Sequence, residues 1–254
     1  MKLTFLGTGT SKGIPVIGST NEVCLSTDSK DKRLRSSVLI SWNNFNYVID
    51  CGPDFRQQML RENISKIDGI IYTHEHSDHT AGLDDIRPFT QHYGDLPIYA
   101  YKRVIEDLKK RFEYIFTKEN KYPSAPSVIV NIIKNKPFKL SNLEIVPISV
   151  SHGKLNIFGY RFDKLAYLTD VSFINNLEKE KLNNLEVLII NALQIKDHPT
   201  HFNLEKALKL IEDVKPKRAY ITHISHKLGF HSVIEKQLPK NVFLAYDGLK
   251  IEIK

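Results

Sequence analysis

The chain has 254 residues, of which 41% are hydrophobic and 26% are charged. These fractions are ordinary for a globular protein, and they exclude a disordered, collagen-like or coiled-coil chain. The 36 basic and 29 acidic residues give a net charge of +7. This mildly basic balance is compatible with phosphate-bearing substrates or nucleic acid, but it establishes neither.

The chain contains two cysteines, Cys24 and Cys51. A secreted, disulfide-rich scaffold would use more of them, so we expect a reducing, cytoplasmic location. The apolar run before Gly7 is too short for a signal peptide, and no stretch approaches the length of a membrane span. The sequence therefore predicts a soluble protein with no membrane partner.

Short β-branched, apolar runs alternate with amphipathic stretches along the whole chain. In chain order, the strand pattern predicts strands at Leu3–Leu6, Ser37–Trp42, Tyr47–Asp50, Gly69–Thr73, Leu96–Ala100, Ser127–Ile133, Leu143–Val150, Ile157–Phe162, Ala166–Thr169, Leu185–Ile190, Arg218–Ile221, Val242–Ala245 and Leu249–Ile253. Helical periodicity predicts helices at Phe55–Glu62, Ala81–Tyr93, Lys102–Phe116, Phe173–Leu182, Leu204–Val214 and Ser232–Leu238. Because we find no repeat or long linker, we predict one α/β domain over residues 1–254.

Three of the ten histidines lie within the segment Thr73–His79, which reads Thr-His-Glu-His-Ser-Asp-His and is called the histidine loop below. The segment follows an apolar run, which places it on a loop at the carboxyl end of a strand. In an extended segment, His74 and His76 project to one side. Clustered imidazoles with a carboxylate suit a borderline divalent metal and leave room for a water ligand. The ligands of this loop could share one ion or divide between two.

The pattern His-x-His-x-Asp-His after a strand resembles the metallo-β-lactamase fold superfamily of dinuclear metallohydrolases. Similar segments extend over nearly the whole chain, at Phe5–Ser11, Gly82–Arg87, His198–Leu204, Thr222–His226 and Tyr246–Gly248. They resemble the branch that contains the phosphonate-pathway cyclic ribose phosphate phosphodiesterase, which is close to the tRNA 3′-processing endonucleases. The resemblance implies a four-layer αβ/βα sandwich, with two mixed sheets flanked by helices and the metals between the sheet edges.

Carried over residue by residue, the resemblance implies a site for two divalent metal ions. The implied ligands are His74, His76 and His152 for the first ion, Asp78, His79 and His223 for the second, and Asp170 as the bridge between them. His152, Asp170 and His223 each follow a predicted strand, as the histidine loop does. Four strand-end loops would therefore converge on one edge. Zinc or manganese is the expected metal, with iron as a further candidate.

The implied chemistry is hydrolysis by a hydroxide that bridges the two ions, because paired divalent ions lower the pKa of a shared water to about neutral. Asp78 is accordingly counted among the catalytic residues as well as the ligands. His201 resembles the general acid of the branch, which protonates the leaving oxygen and contacts the substrate. Its alternative role is to cap the predicted helix Leu204–Val214.

Three further residues are candidates for supporting roles. Arg87 could bind a substrate phosphate, or it could form an ion pair with a nearby aspartate. One of Asp84 and Asp85 is expected to orient a ligand histidine, although both could be simple charges in the first turn of a helix.

The long polar loop Gly7–Ser36 departs from the family pattern. Relatives carry a Cys-x-Cys-x-x-Cys staple there, which binds a structural zinc together with a histidine. In this chain Ser19 and Asn21 replace two of the cysteines, which leaves Cys24 and, by resemblance, His226. Two protein ligands cannot form a closed zinc site. We therefore expect no third zinc, a loop held by packing, and a hydrogen-bonding or supporting role for His226.

The sequence thus predicts a metal-dependent hydrolase, a phosphodiesterase that acts on a small or cyclic phosphodiester. The first alternative is a tRNA 3′-processing endonuclease-like ribonuclease, for which the basic segment Lys102–Lys121 is the one candidate for an RNA-binding arm; RNA is the less favoured partner. A carboxyl-ester or thioester hydrolase is a third choice. A non-enzymatic metal-binding module would have no use for His201. Relatives are often dimeric, so a homodimer is allowed.

Overall fold

The computed structural model of the protein describes residues 1–117 and 121–254. The strands are β1 (Lys2–Gly7), β2 (Ser37–Trp42), β3 (Phe45–Ile49), β4 (Gly69–Ile71), β5 (Leu96–Tyr101), β6 (Val128–Ile133), β7 (Phe138–Leu140), β8 (Leu143–His152), β9 (Leu155–Phe162), β10 (Leu165–Tyr167), β11 (Val187–Asn191), β12 (Arg218–Thr222), β13 (Val242–Leu244) and β14 (Lys250–Glu252). All the predicted strands occur, and β7 is additional. Strand β7 offers only two apolar residues, Phe138 and Leu140, between Pro137 and Ser141, so no longer apolar run marks it in the sequence.

The helices are α1 (Glu22–Leu25), α2 (Phe55–Arg61), α3 (Ser77–Thr80), α4 (Arg87–Tyr93), α5 (Lys102–Arg111), α6 (Glu113–Phe116), α7 (Asn176–Glu180), α8 (Leu204–Val214) and α9 (His231–Ile234). The predicted helix Lys102–Phe116 is interrupted at Phe112, whose φ of −127° and ψ of 42° are not helical. The predicted helix Phe173–Leu182 begins later, because the Asn175 side chain accepts a hydrogen bond from the Glu178 amide and caps α7. None of the helices in the described ranges is long and apolar enough to cross a membrane.

The strands form two mixed sheets of seven strands each. Their orders are β14-β1-β2-β3-β4-β5-β6 and β13-β12-β11-β10-β9-β8-β7. Strands β3 to β6 are parallel in the first sheet, and strands β10 to β13 are parallel in the second. Because the carboxyl ends of parallel strands share an edge, the loops after them can meet there.

Three buried apolar clusters separate four layers. The inner faces of the two sheets pack together through side chains such as Phe5, Tyr160 and Ile189. The outer face of the first sheet packs against α2, α4 and α5. The outer face of the second sheet packs against α8, whose apolar residues recur at helical spacing. The predicted αβ/βα sandwich is therefore confirmed.

Packing anchors part of the loop Gly7–Ser36, as predicted. Ile14, Val23 and Cys24 are buried in the cluster on the outer face of the second sheet. The Cys24 thiol also accepts a hydrogen bond from the Val16 amide at 3.5 Å. The amino-terminal loop thus covers the second sheet although its flanking strands belong to the first.

A buried arginine also anchors this loop, which the sequence analysis did not foresee. The Arg33 side chain donates hydrogen bonds to Thr8 Oγ1 at 2.7 Å and to the Ala245 carbonyl, and it lies 3.1 Å from His231 Nδ1. Burial lowers the pKa of Arg33 to about 10, against the opposing effect of Asp247, so the guanidinium is still charged at neutral pH. One side chain therefore joins three segments that are distant in sequence.

We expect Arg33→Met to destabilise the protein by about 2–4 kcal/mol, because it leaves buried polar groups without their donor. Urea unfolding of the purified variant measures this change. The matched control is Arg56→Met at an exposed position, where we expect a change within about 0.5 kcal/mol. Equal, small effects of the two substitutions would show that Arg33 does not anchor the loop.

Candidate metal centre

The histidine loop leaves β4 and turns directly into α3. His74 and His79 are fully buried, whereas His76 is exposed at the edge of the sandwich. The Nε2 atom of His74 has no hydrogen-bond partner among the described residues, whereas Nε2 of His79 faces two carboxylates. Buried ring nitrogens normally have partners, so the His74 nitrogen is suited to bind a ligand such as a metal ion.

The first group of donor atoms consists of His74, His76 and His152. Their ligand atoms all lie within 4.8 Å of one another. His152 ends β8 in the second sheet, whereas the other two histidines come from the loop after β4 in the first. The structure therefore brings together the set that the resemblance implied for the first ion.

The second group consists of Asp78, His79 and His223, again with ligand atoms within 4.8 Å of one another. His79 Nε2 lies 3.2 Å from Asp78 Oδ2, and Nδ1 of the buried His223 ring lacks a hydrogen-bond partner in the described ranges. His223 directly follows β12. This is the set that was implied for the second ion.

Asp170 lies between the two groups. Its Oδ2 is 3.1 Å from His79 Nε2, and its Oδ1 is 3.2 Å from His223 Nε2 and 3.9 Å from His152 Nε2. Its carboxylate also lies within 4.8 Å of the His74 donor atom. This is where a bridging carboxylate would have to be placed.

The donor set fits divalent metal ions. Imidazole nitrogens and carboxylate oxygens are ligands that zinc and manganese accept, and here they converge from four loops. The hydrogen bonds of three rings leave Nε2 facing the cluster. In His79 the Nδ1 lies 2.7 Å from Asp50 Oδ2, and in His152 it lies 2.7 Å from the Thr200 carbonyl, which can only accept.

Thr73 orients the third ring. Its hydroxyl donates to Asp50 Oδ2 at 2.8 Å, so it accepts from His74 Nδ1, which is 2.9 Å away. The proton of His74 is therefore on Nδ1, and Nε2 presents a lone pair to the cluster. Burial also lowers the pKa of His74 well below its usual value, which keeps the ring neutral and able to bind a metal.

The charged side chains in and around the second group shift one another's pKa values. Burial alone would lower the pKa of His79, but Asp78, Asp170 and Asp50 surround the ring and raise its pKa well above the usual value. Burial would raise the pKa of Asp170, but His223 and His79 hold it well below its usual value. The surrounding carboxylates thus favour the protonated form of the His79 ring.

Asp50 is a candidate residue for positioning the histidine loop that the sequence analysis missed. It is fully buried, and it accepts hydrogen bonds from the Thr73 amide and hydroxyl as well as contacting His79 Nδ1. It directly follows β3, the neighbour of β4. A carboxylate at the end of a strand beside the histidine loop was the available signal.

Of the pair Asp84 and Asp85, one of which was expected to orient a ligand histidine, Asp84 makes other contacts. Asp84 accepts hydrogen bonds from the Arg87 guanidinium and from the Tyr114 hydroxyl at 2.6 Å. Arg87 also donates to the Ser124 carbonyl and to Tyr122 Oη. Arg87 therefore makes the ion pair that the sequence left open as the alternative to phosphate binding.

Helix α5 holds the histidine loop from outside. Arg103 Nε lies 2.7 Å from Glu75 Oε1, and Arg111 donates to the Glu75 carbonyl at 3.0 Å and to Thr80 Oγ1 at 2.8 Å. Val104, Ile105 and Leu108 are buried against the first sheet, so the described part of the segment Lys102–Lys121 is not a protruding arm. Residues 118–120 of that segment lie outside the described residues.

His201 lies beside the bridging position. Its Nε2 is 2.9 Å from Asp170 Oδ1, and its Nδ1 is 2.9 Å from Thr200 Oγ1 and 3.2 Å from His198 Nδ1. Burial lowers the pKa of His201 to about 4, although the hydrogen bond with Asp170 opposes this shift. The alternative role as a helix cap is wrong, because the Asn203 side chain caps α8.

Cys24 and His226 are the two positions at which this chain keeps the residue types of the zinc staple in relatives. Cys24 is buried and His226 is half-buried. Within the described part of the chain, His226 Nδ1 has no hydrogen-bond partner. The absence of a third zinc is not tested by these contacts and stays a prediction.

Known proteins resemble the chain over most of its length. Residues 45–224 match the family described as "Beta-lactamase superfamily domain". A crystal structure of a new diphosphatase from the PhnP family superposes with a TM-score of 0.93 at 42% identity, and the match covers 100% of this chain and 98% of that one. Zinc-bound PqqB from Methylobacterium extorquens shares the fold, with a TM-score of 0.80 at 16% identity over 100% of both chains.

Among curated proteins, an octanoyltransferase from Porphyromonas gingivalis is 38% identical over 253 residues, or 98% of this chain. The match covers 51% of that protein, so the chain spans about half its length. A ribonuclease Z from Borreliella afzelii is 24% identical over 293 residues, which covers 87% of this chain and 92% of the relative.

We expect zinc binding to the metal-free protein at about pH 7 to release about one proton from His79, because ligation through Nε2 requires the neutral ring. Below the pKa of His79, the affinity should therefore rise about tenfold for each pH unit. Calorimetry in buffers with different heats of ionisation measures the released proton.

The matched variant is Asp50→Asn, which removes one of the carboxylates that raise the pKa of His79. Its proton release should shift to lower pH. If zinc binds at neutral pH without proton release, His79 is neutral in the metal-free protein.

Proposed function

The chain belongs to the β-lactamase superfamily, and from this premise we propose that it is a metal-dependent hydrolase that cleaves phosphoric diesters. The observation that carries the proposal is the position of Asp170, which contacts His79 and His223 and lies next to His201. A bridging carboxylate and a further histidine beside it are what hydrolysis at two divalent ions requires of the protein. We infer one such ion in each of the two donor groups.

The preference for phosphorus over an acyl centre is supported by the relatives. A PhnP-family protein at 42% identity is a diphosphatase, and a relative at 24% identity is a ribonuclease. The octanoyltransferase is about twice as long as the matched region, so its name does not assign acyl transfer to this part of it. We therefore favour a phosphodiester substrate over a carboxyl ester or thioester.

Bound divalent ions would supply Lewis-acid chemistry, lowering the pKa of a coordinated water and taking up charge from phosphoryl oxygens. The protein would hold the donor groups together through Asp170 and fix the His79 ring through Asp50. The exposed His76 leaves this edge of the sandwich open to a substrate. We assign to His201 Nε2 the proton for the leaving oxygen, with the negative charge of the diester raising the pKa of the ring.

A small or cyclic diester is favoured over RNA. An RNA-processing enzyme needs a surface that grips the polynucleotide, whereas three basic residues of the candidate segment are engaged within the protein. Arg103 and Arg111 contact the histidine loop, and Lys121 donates to the Ile115 carbonyl and to Ser127 Oγ. A tRNA 3′ end remains the second candidate because of the ribonuclease relative.

We expect two tightly bound divalent ions per chain, and hydrolysis of aryl phosphodiesters or cyclic ribose phosphates by the metal-loaded protein. Asp170→Ala should lose at least one ion and nearly all activity, because the paired cations would repel without the carboxylate. Elemental analysis and a substrate screen that includes carboxyl esters and a tRNA precursor measure both. Three ions per chain, or turnover of esters alone, would contradict the proposal.

We expect His201→Ala to keep both ions and to slow turnover about 10²- to 10⁴-fold, the range for loss of a general acid. A nitrophenolate leaving group, which departs without a proton, should largely restore the rate. Kinetics with activated and alkyl diesters, together with the metal content, make this test. Equal losses for both substrates would assign His201 to positioning, and loss of metal would make it a ligand.

A further inference from the structure

A cavity lies beside the histidine loop, between the edge strand β6 and the hairpin of β8 and β9. Its volume is about 510 Å³, which is within the range of small-molecule sites. Thr73, Tyr101 and Ile133 line it, and these residues follow or end three neighbouring parallel strands, β4, β5 and β6. The cavity, called the basic crevice below, therefore opens at the sheet edge that carries the candidate metal centre.

The basic crevice has a positive lining. Lys102, Arg103 and Lys134 line it, and no acidic residue does so among the residues that the structure describes. Lys102 has an exposed partner, Glu106, at 3.6 Å, whereas Lys134 has no ion-pair partner in residues 1–117 and 121–254. Unpaired positive charge on one wall of a cavity favours an anionic ligand.

Apolar surface faces the same space. Tyr101 is 42% exposed and packs edge-on against Phe158, with ring centroids 5.6 Å apart. Ile132, also in the lining, is 53% exposed. A flat ring of a ligand can stack on an exposed aromatic side chain, while neighbouring cationic side chains neutralise an anionic group on the same ligand. We propose that the basic crevice binds a ring-bearing phosphate, an aryl or nucleoside monophosphate.

Arg103 connects the basic crevice with the candidate metal centre. Its guanidinium contacts the Glu75 carboxylate and donates to the Asn156 carbonyl at 2.8 Å. Glu75 lies between His74 and His76, and Asn156 pairs with Ser151 across the β8–β9 hairpin. A phosphate near Arg103 would compete with Glu75 for the guanidinium. Binding in the crevice would therefore act on the backbone that positions His74 and His76. The site itself does not depend on diester hydrolysis.

The test is calorimetric titration of the metal-loaded protein with adenosine 5′-monophosphate, adenosine and inorganic phosphate. Adenosine monophosphate should bind at least tenfold more tightly than either fragment. Tyr101→Ala should weaken it about tenfold, the range for loss of a stacked base. Lys134→Ala should weaken it about threefold to tenfold, whereas Lys240→Ala, an exposed lysine at the opposite edge of the second sheet, should leave the affinity unchanged.

Asp170→Ala separates this site from the metal centre. Its affinity for adenosine monophosphate should fall clearly less than in Tyr101→Ala, even if no diester is hydrolysed by any form of the protein. Loss of binding in Asp170→Ala with unchanged binding in Tyr101→Ala would place the nucleotide at the metal centre and overturn the proposal. Equal affinity for inorganic phosphate would overturn it too, since the ring would then contribute nothing.

Discussion

The contacts of Asp170 join the two halves of the candidate centre, and much of the fold serves to make them possible. One carboxylate oxygen contacts His79, from the loop of the first sheet, and the other contacts His223, from the second. A carboxylate at this place offsets the charge of imidazolium groups or metal ions that would otherwise repel each other in a poorly solvated space. Asp170 can reach both only because the two sheets stack face to face with their loop-bearing edges aligned.

Backbone strain accompanies this arrangement. Asp50, Asp170 and His223 have φ values of 64°, 57° and 53°, in the left-handed region that non-glycine residues rarely adopt. Each lies within three residues of the end of a strand. Such conformations persist where the surrounding structure fixes them, and they concentrate at functional sites. The buried hydrogen bonds of Asp50 and the ion pairs of Asp170 are the compensating interactions here.

Local sequence signals were sufficient for every strand except β7 and for the histidine loop, because period and spacing are properties of neighbouring residues. Distant residues such as His152 and His223 could be assigned only through the resemblance, and the structure then brought them to the loop. Asp50 and Arg33 were missed, because a residue that stabilises others through buried hydrogen bonds has no periodicity of its own. The partner of Arg87 was undecided for a related reason: a charge pattern does not say whether a guanidinium already has a partner in the fold.

Each donor group draws its ligands from both sheets, since the loop after β4 supplies one part and the ends of β8 and β12 supply the other. An ion in such a group would link the two halves of the sandwich. Separation of the sheets would then require its release, so the free energy of unfolding would follow the free metal concentration, by about 1.4 kcal/mol for each tenfold change at saturating levels. A cell poor in the metal would hold a protein that is less resistant to unfolding, quite apart from its chemistry.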